Sequence, residues 1–197
     1  MTSTIIAMNT PARLPAVILF AETRGFTRTS AMLQPAVVLN QAAVFFDLVR
    51  AAVERNGGTV HNMLNDTLMA FFTAASNARQ AVQTAQEIQH DFDAIEDAWT
   101  RDFGIRAAVA MGLHAGDVVM GAAGKTPSMV IGDSVSIAAR LLHRARAGEF
   151  VLSAAVMDAL GNDRATLQAE PLPPLEITRR DPVQLFGVLR DARLDFT

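Results

Sequence analysis

Two carboxylates in this sequence stand where a divalent cation can reach them. Glu22 closes the apolar run "AVILFAE", and Asp66 follows Asn65 in the turn of "GGTVHNMLNDTLMAFF". A strand ending beside a hairpin turn brings both side chains to one sheet edge, where Mg²⁺ would find carboxylate oxygens, with phosphates and water to complete its shell. Carboxylates at strand ends and turns are more often simply solvated, so the pair alone does not identify a site. The stretch "TRGFT", with Gly25 and Phe26, reads as a loop between strand and helix whose backbone N–H groups can face a phosphate; a single glycine is a weak signal for that. Arg140, in "SIAARL", reads first as a surface or interface ion-pair residue. His61 and His114 have no spacing that joins them as metal ligands, and both read as structural.

These residues need elements to position them. The run "AVILFAE" is continuous and apolar, as in a central strand buried on both faces. Pro35 suits the first turn of a helix in which Val38, Ala42, Phe45, Val49 and Val53 recur at helical spacing, and Asn56-Gly57-Gly58 ends it. "TVHNML" and "TLMAFF" read as a β-hairpin around Asn65-Asp66. From Ala75 to about Trp99, the series Val82, Ala85, Ile88, Phe92, Ile95, Trp99 predicts one amphipathic helix. "IRAAVAMGLHAGDVVMGAAG" reads as two strands around a Gly116-Asp117 turn. A helix from Ser134 to about Ala145, the strand "FVLS", a short helix through Met157 and a last strand pair ending in "VQLFGVL" complete the chain. Helices packed on a sheet follow from this alternation. We expect a loose leader over 1–14, one domain over 15–190 and a charged tail over 191–197.

Composition narrows the function. The chain has 197 residues, 50% of them hydrophobic, which is enough for a sizeable core. Its net charge of −3 comes with no basic stripe, so no nucleic-acid partner is expected. The absence of cysteine excludes disulfides and thiolate metal sites and fits a cytoplasmic setting. The N-terminal apolar run lacks a basic flank and is too short to span a bilayer, so neither a signal peptide nor a membrane span is expected.

Four stretches in this order and spacing, "LFAETRGFT", "GGTVHNMLNDTLMAFF", "GLHAGDVVMGAAG" and "VIGDSVSIAARL", resemble the class III adenylate and guanylate cyclase catalytic domain, from about Val17 to Val188. The resemblance implies an α+β fold, a ferredoxin-like βαββαβ core with additional strands and helices. It also implies a head-to-tail homodimer with two active sites between subunits, Mg or Mn as metal, and ATP or GTP as ligand. The family's metal-binding aspartates fall on Glu22 and Asp66, with Asn65 where a glycine is usual. Gly25 and Phe26 match the loop that wraps the triphosphate, and Arg140 matches the arginine that stabilises the pentavalent phosphorus.

Three positions depart from the pattern. The purine-selecting lysine falls on Asn62, its selecting partner on Met129, and the asparagine that positions the ribose on Ser136. A lysine expected in the last hairpin has no clear equivalent, with Arg179 or Arg180 as substitutes. The resemblance therefore implies a signalling domain that is catalytically degenerate and acts by dimerising or by binding a nucleotide or a protein. Two alternatives stay open. One is an atypical adenylate cyclase that forms cyclic AMP and pyrophosphate using two metal ions. The other is the metal-bearing half of a heterodimer with a cyclase-type or other signalling partner.

Overall fold

The computed structural model describes residues 11–64, 66–75, 77–123 and 126–190. Along the chain run β1 (Ala12–Arg24), α1 (Phe26–Met32), α2 (Pro35–Arg55), β2 (Thr59–Leu64), β3 (Thr67–Phe72), α3 (Asn77–Asp91), α4 (Asp93–Phe103), β4 (Ala108–Ala123) and β5 (Thr126–Ile131). Then come α5 (Asp133–Arg144), β6 (Glu149–Ser153), α6 (Ala154–Leu160), a 3₁₀ turn over Gly161–Thr166, β7 (Glu170–Leu175) and β8 (Val183–Leu189). One sheet holds the strands in the order β2-β3-β1-β4-β6-β8-β7, with β5 paired to β4. The portion β2-β3-β1-β4, wound as β-α-β-β-α-β, is the ferredoxin-like core.

The alternation of side chains along β1 explains how the layers form. Val17, Leu19 and Ala21 join the main core with Phe45 and Val49 of α2, Ile88 of α3, Trp99 of α4 and Val156 of α6. Ala16 and Ile18 face the other way, packing with Met69, Phe71, Val118, Val130 and Ala138 of α5. A second patch under α5 contains Ile137, Leu141, Leu142, Val151 and Leu185. The helices α2, α3, α4 and α6 thus cover one face of the sheet and α5 covers part of the other. A strand buried on both faces gives the uninterrupted apolar run seen in the sequence.

Four elements differ from the sequence reading. Gly116-Asp117 is no turn: β4 runs straight through it, pairing Gly116 with Ala16 and Asp117 with Pro15 of β1. The predicted long helix divides at Phe92 into α3 and α4, although its apolar series continues into the main core on both sides of the break. The polar stretch after Arg24 contains the short helix α1, entered from Gly25 in the left-handed region (φ 93°) and tied by the Thr29 N–H and hydroxyl to the Gly25 carbonyl. The strand β1 also starts earlier than the apolar run suggests, at Ala12. Asn65 lies outside the described residues.

Length and composition alone would let α2 cross a membrane. In the fold, Ala42, Phe45, Val49, Ala52 and Val53 of α2 are buried in the domain.

Candidate functional site

The helix α5 seats directly against the sheet, and two glycines of β4 allow it. A Cβ on Gly112 would stand 2.2 Å from the Leu142 backbone nitrogen and 2.6 Å from the Ala138 carbonyl oxygen. One on Gly116 would stand 2.3 Å from Ser134 Oγ. That hydroxyl donates to the Asp117 carbonyl at 3.1 Å and so fastens the start of α5 to β4. Ser136 and Arg140 are both exposed and four residues apart, which puts them on one side of the helix. The Arg140 guanidinium donates to the Glu176 carbonyl at 3.3 Å, and Asp133 pairs with Arg180. Arg180 is thereby engaged with the first turn of α5. Arg179 takes a positive φ of 63° in the connection between β7 and β8.

At the other end of α5 stands the carboxylate pair suggested by the sequence. Glu22 lies opposite Thr67 on β3, and the Thr23 N–H donates to the Asp66 carbonyl at 3.3 Å. Both acidic residues therefore come to the same end of β1. Glu22 is an even-numbered residue of β1 and shares the α5 face of the sheet with Ile18 and Phe20. So does Arg24, two residues on, and the sequence reading passed it over. Its Nη1 pairs with Glu22 Oε1, while its Nη2 donates to the Leu142 carbonyl at 2.8 Å and the Ala145 carbonyl at 3.1 Å. The period of two along a strand was the available signal.

Hard divalent cations prefer several oxygen ligands. Among the described residues, no group of three or more His, Cys, Asp or Glu side chains could hold a metal. The donor set is two carboxylates, one already engaged by a guanidinium. As these side chains lie, this end of the sheet fits the Arg24 cation and does not fit a pair of divalent ions.

Of the remaining positions, Asn62 falls on the same face. A bulge between Val60 and Asn62 re-registers β2 so that Asn62 stands opposite Met69, on the α5 side. Asn62 is exposed and lines a largely apolar groove of about 370 Å³ with Phe20, Leu64, Thr67 and Met69 from the sheet, and Ala139, Leu142 and His143 from α5. Met129 is half-buried on β5 opposite Gly121. The neighbouring Val130 belongs to the cluster beneath α5, together with its cross-strand partner Met120, so Met129 points to the other side of the β4–β5 pair.

The two histidines noted in the sequence stay apart. His114 is buried, with Nδ1 2.8 Å from Ser153 Oγ; burial pushes its pKa below the ordinary value, against a smaller upward pull from Asp133. His61 is half-buried edge-on to Phe71, and burial lowers its pKa as well.

Residues 11–190 match the family described as the adenylate and guanylate cyclase catalytic domain. The chain belongs to this family. The cyclase domain is 31% identical over 131 residues to an adenylate cyclase of Anabaena cylindrica, a match covering 63% of this chain and 26% of that protein. The chain thus spans about a quarter of that relative's length. The crystal structure of the adenylyl cyclase CyaB from P. aeruginosa superposes with a TM-score of 0.84 at 20% identity, covering 93% of this chain and 98% of the other. A guanylyl cyclase crystal structure gives 0.78 at 25% identity over 90% and 92% of the two chains. The catalytic core of a rhodopsin-guanylyl cyclase with converted specificity, in complex with ATPαS, gives 0.81 at 18% identity, covering 92% and 99%. The fold is therefore that of class III cyclase catalytic domains.

Proposed function

We propose that this cyclase domain is catalytically degenerate and serves cyclic-nucleotide signalling by dimerising or by binding a nucleotide or a protein. One observation carries the reading: the positions that would read the purine and hold the ribose are occupied by Asn62, Met129 and Ser136. Asn62 is neutral and short, Met129 offers a thioether with almost no hydrogen-bonding capacity, and Ser136 ends one carbon past the backbone. Losing one positioning donor commonly costs about 10²- to 10³-fold in rate, and here three positions are altered together. Gly25 and Phe26 at the triphosphate loop, Arg140, and the Glu22–Asp66 end are retained, so nucleotide binding is the more durable property. Mg²⁺ or Mn²⁺ is the metal we assign to Glu22 and Asp66 when a nucleotide brings its own phosphate oxygens.

A second reading draws support from the distribution of the losses. They fall on the base- and ribose-reading positions, whereas the carboxylates persist. That pattern suits the metal-bearing half of a heterodimer whose partner supplies the lysine and asparagine.

The test is turnover and binding with the purified chain. With ATP or GTP and Mn²⁺, cyclic nucleotide should stay at the detection limit, while calorimetry with non-cyclising ATP and GTP analogues should show binding. Sustained cyclic AMP formation by the isolated chain would overturn the degenerate reading in favour of an active atypical adenylate cyclase.

A further inference from the structure

We propose that Arg24 is a built-in cation of this site, holding the Glu22 carboxylate against the end of α5, so that a divalent metal takes Glu22 only by displacing it. The inference rests on the assignment of Glu22 to a metal position. The guanidinium is held from two sides. Nη1 meets Glu22 Oε1, and Nη2 meets the carbonyls of Leu142 and Ala145, where the backbone oxygens of a helix end concentrate negative charge. Three acceptors arranged around a planar, permanently charged fork make a pre-formed cation site, already filled by the chain itself.

Position along the strand makes this arrangement possible. Glu22 and Arg24 are two residues apart on β1 and project from one face, the face on which α5 ends. Their side chains are only 15% and 28% exposed, so solvent and salt screen the pair weakly. A divalent ion on Glu22 would stand beside a guanidinium that cannot deprotonate, and that like-charge contact in a poorly screened setting opposes binding. Asp66, on the turn, has no comparable cation among the described hydrogen bonds and ion pairs. The block therefore falls on one carboxylate of the pair.

Mn²⁺ binding to the whole chain, without nucleotide, tests this by the loss of the free Mn²⁺ electron-paramagnetic signal. Arg24→Gln should bind Mn²⁺ about tenfold more tightly than the unaltered chain, the range expected for two mutually exclusive occupants of one site. Adding Glu22→Gln to that variant should remove the gain. Glu22→Asp draws the carboxylate back from Arg24 while leaving Arg24 on the α5 carbonyls, and should also tighten Mn²⁺ binding. Equal or weaker binding by a folded Arg24→Gln, or a gain that survives Glu22→Gln, overturns the proposal. Should Arg24→Gln fail to fold because α5 loses its tie, Glu22→Asp decides alone, and unchanged affinity there overturns it. Failure of this inference leaves the turnover result untouched, and cyclic AMP formation by the unaltered chain would leave the Mn²⁺ comparison standing.

Discussion

Asn62, Met129 and Ser136 share one chemical deficiency: none places a charged or long hydrogen-bonding group where the family resemblance expects one. Asn62 and Ser136 are exposed and Met129 is half-buried, so new side chains at all three have room to be accommodated. The change Asn62→Lys with Met129→Thr and Ser136→Asn should raise ATP cyclisation by about 10²-fold or more, measured as cyclic AMP at Mn²⁺ levels high enough to compete with Arg24. Asn62→Lys alone should do little, because residues that act in one transition state are strongly non-additive. Asp66→Asn added to the triple variant should abolish the gain. Equal cyclic AMP from the unaltered chain and a folded triple variant would show that the defect lies elsewhere. Legibility at this scale was uneven for a physical reason. Glu22 and Asp66 could be brought together on paper because strand ends and hairpin turns meet at sheet edges. Arg24 could not be given its role, since its second set of partners belongs to the end of a helix more than a hundred residues on.

At the scale of elements, the site depends on how closely α5 seats on β4. Gly112 is not among the positive-φ glycines, so its value lies in the missing Cβ rather than in its backbone conformation. Gly112→Ala should destabilise the fold by about 1–3 kcal/mol in urea unfolding, because the new carbon meets helix backbone atoms that cannot rotate away. Gly116→Ala makes a useful contrast. Its nearest obstacle is the Ser134 hydroxyl, which can turn aside at the loss of one hydrogen bond, so the cost should be smaller. A Gly112→Ala variant as stable as the parent would mean that α5 shifts freely on the sheet. The same glycines show why part of the fold was hidden in the sequence. In "HAGDV" a glycine beside an aspartate has turn composition, yet Gly116 is small to admit a serine and its strand continues. The helix α2 and the β2–β3 hairpin were legible because apolar period and end signals agree. The break at Phe92 was not, because apolar residues keep helical spacing across it, and α1 was not, because seven residues with a polar composition display no period.

At the scale of the molecule, the question is which surface a second copy would cover. An apolar surplus at Leu39, Phe46, Met63 and Met69 would suggest the first helix and hairpin, but the fold uses two of these itself. Met69 is buried under α5 and Phe46 packs against the main core. Leu39 stays 70% exposed on α2, on the far face of the sheet from α5. The α5 face offers a better surface. Leu64 is 65% exposed at the lip of the groove that Asn62 lines, whereas Ile131, 57% exposed, and its cross-strand partner Val119 point to the other side of β4, since Val118 and Met120 take the α5 side. Asn62, in the same groove as Leu64, is also exposed, as are Ser136 and Arg140 on α5. Sites shared between subunits, as the family resemblance implies, require the two-fold axis to pass this face. We therefore expect sedimentation velocity to show a concentration-dependent dimer at micromolar chain concentration. Leu64→Asp should weaken it by about tenfold or more, since a charge buried without a partner at an interface is costly. Leu39→Asp should leave the association unchanged. A strictly monomeric profile at high micromolar concentration counts against a homodimer and moves the weight to a partner that brings its own lysine and asparagine. Loss of the dimer with Leu39→Asp alone would place the interface on α2 and leave Asn62 and Arg140 outside it.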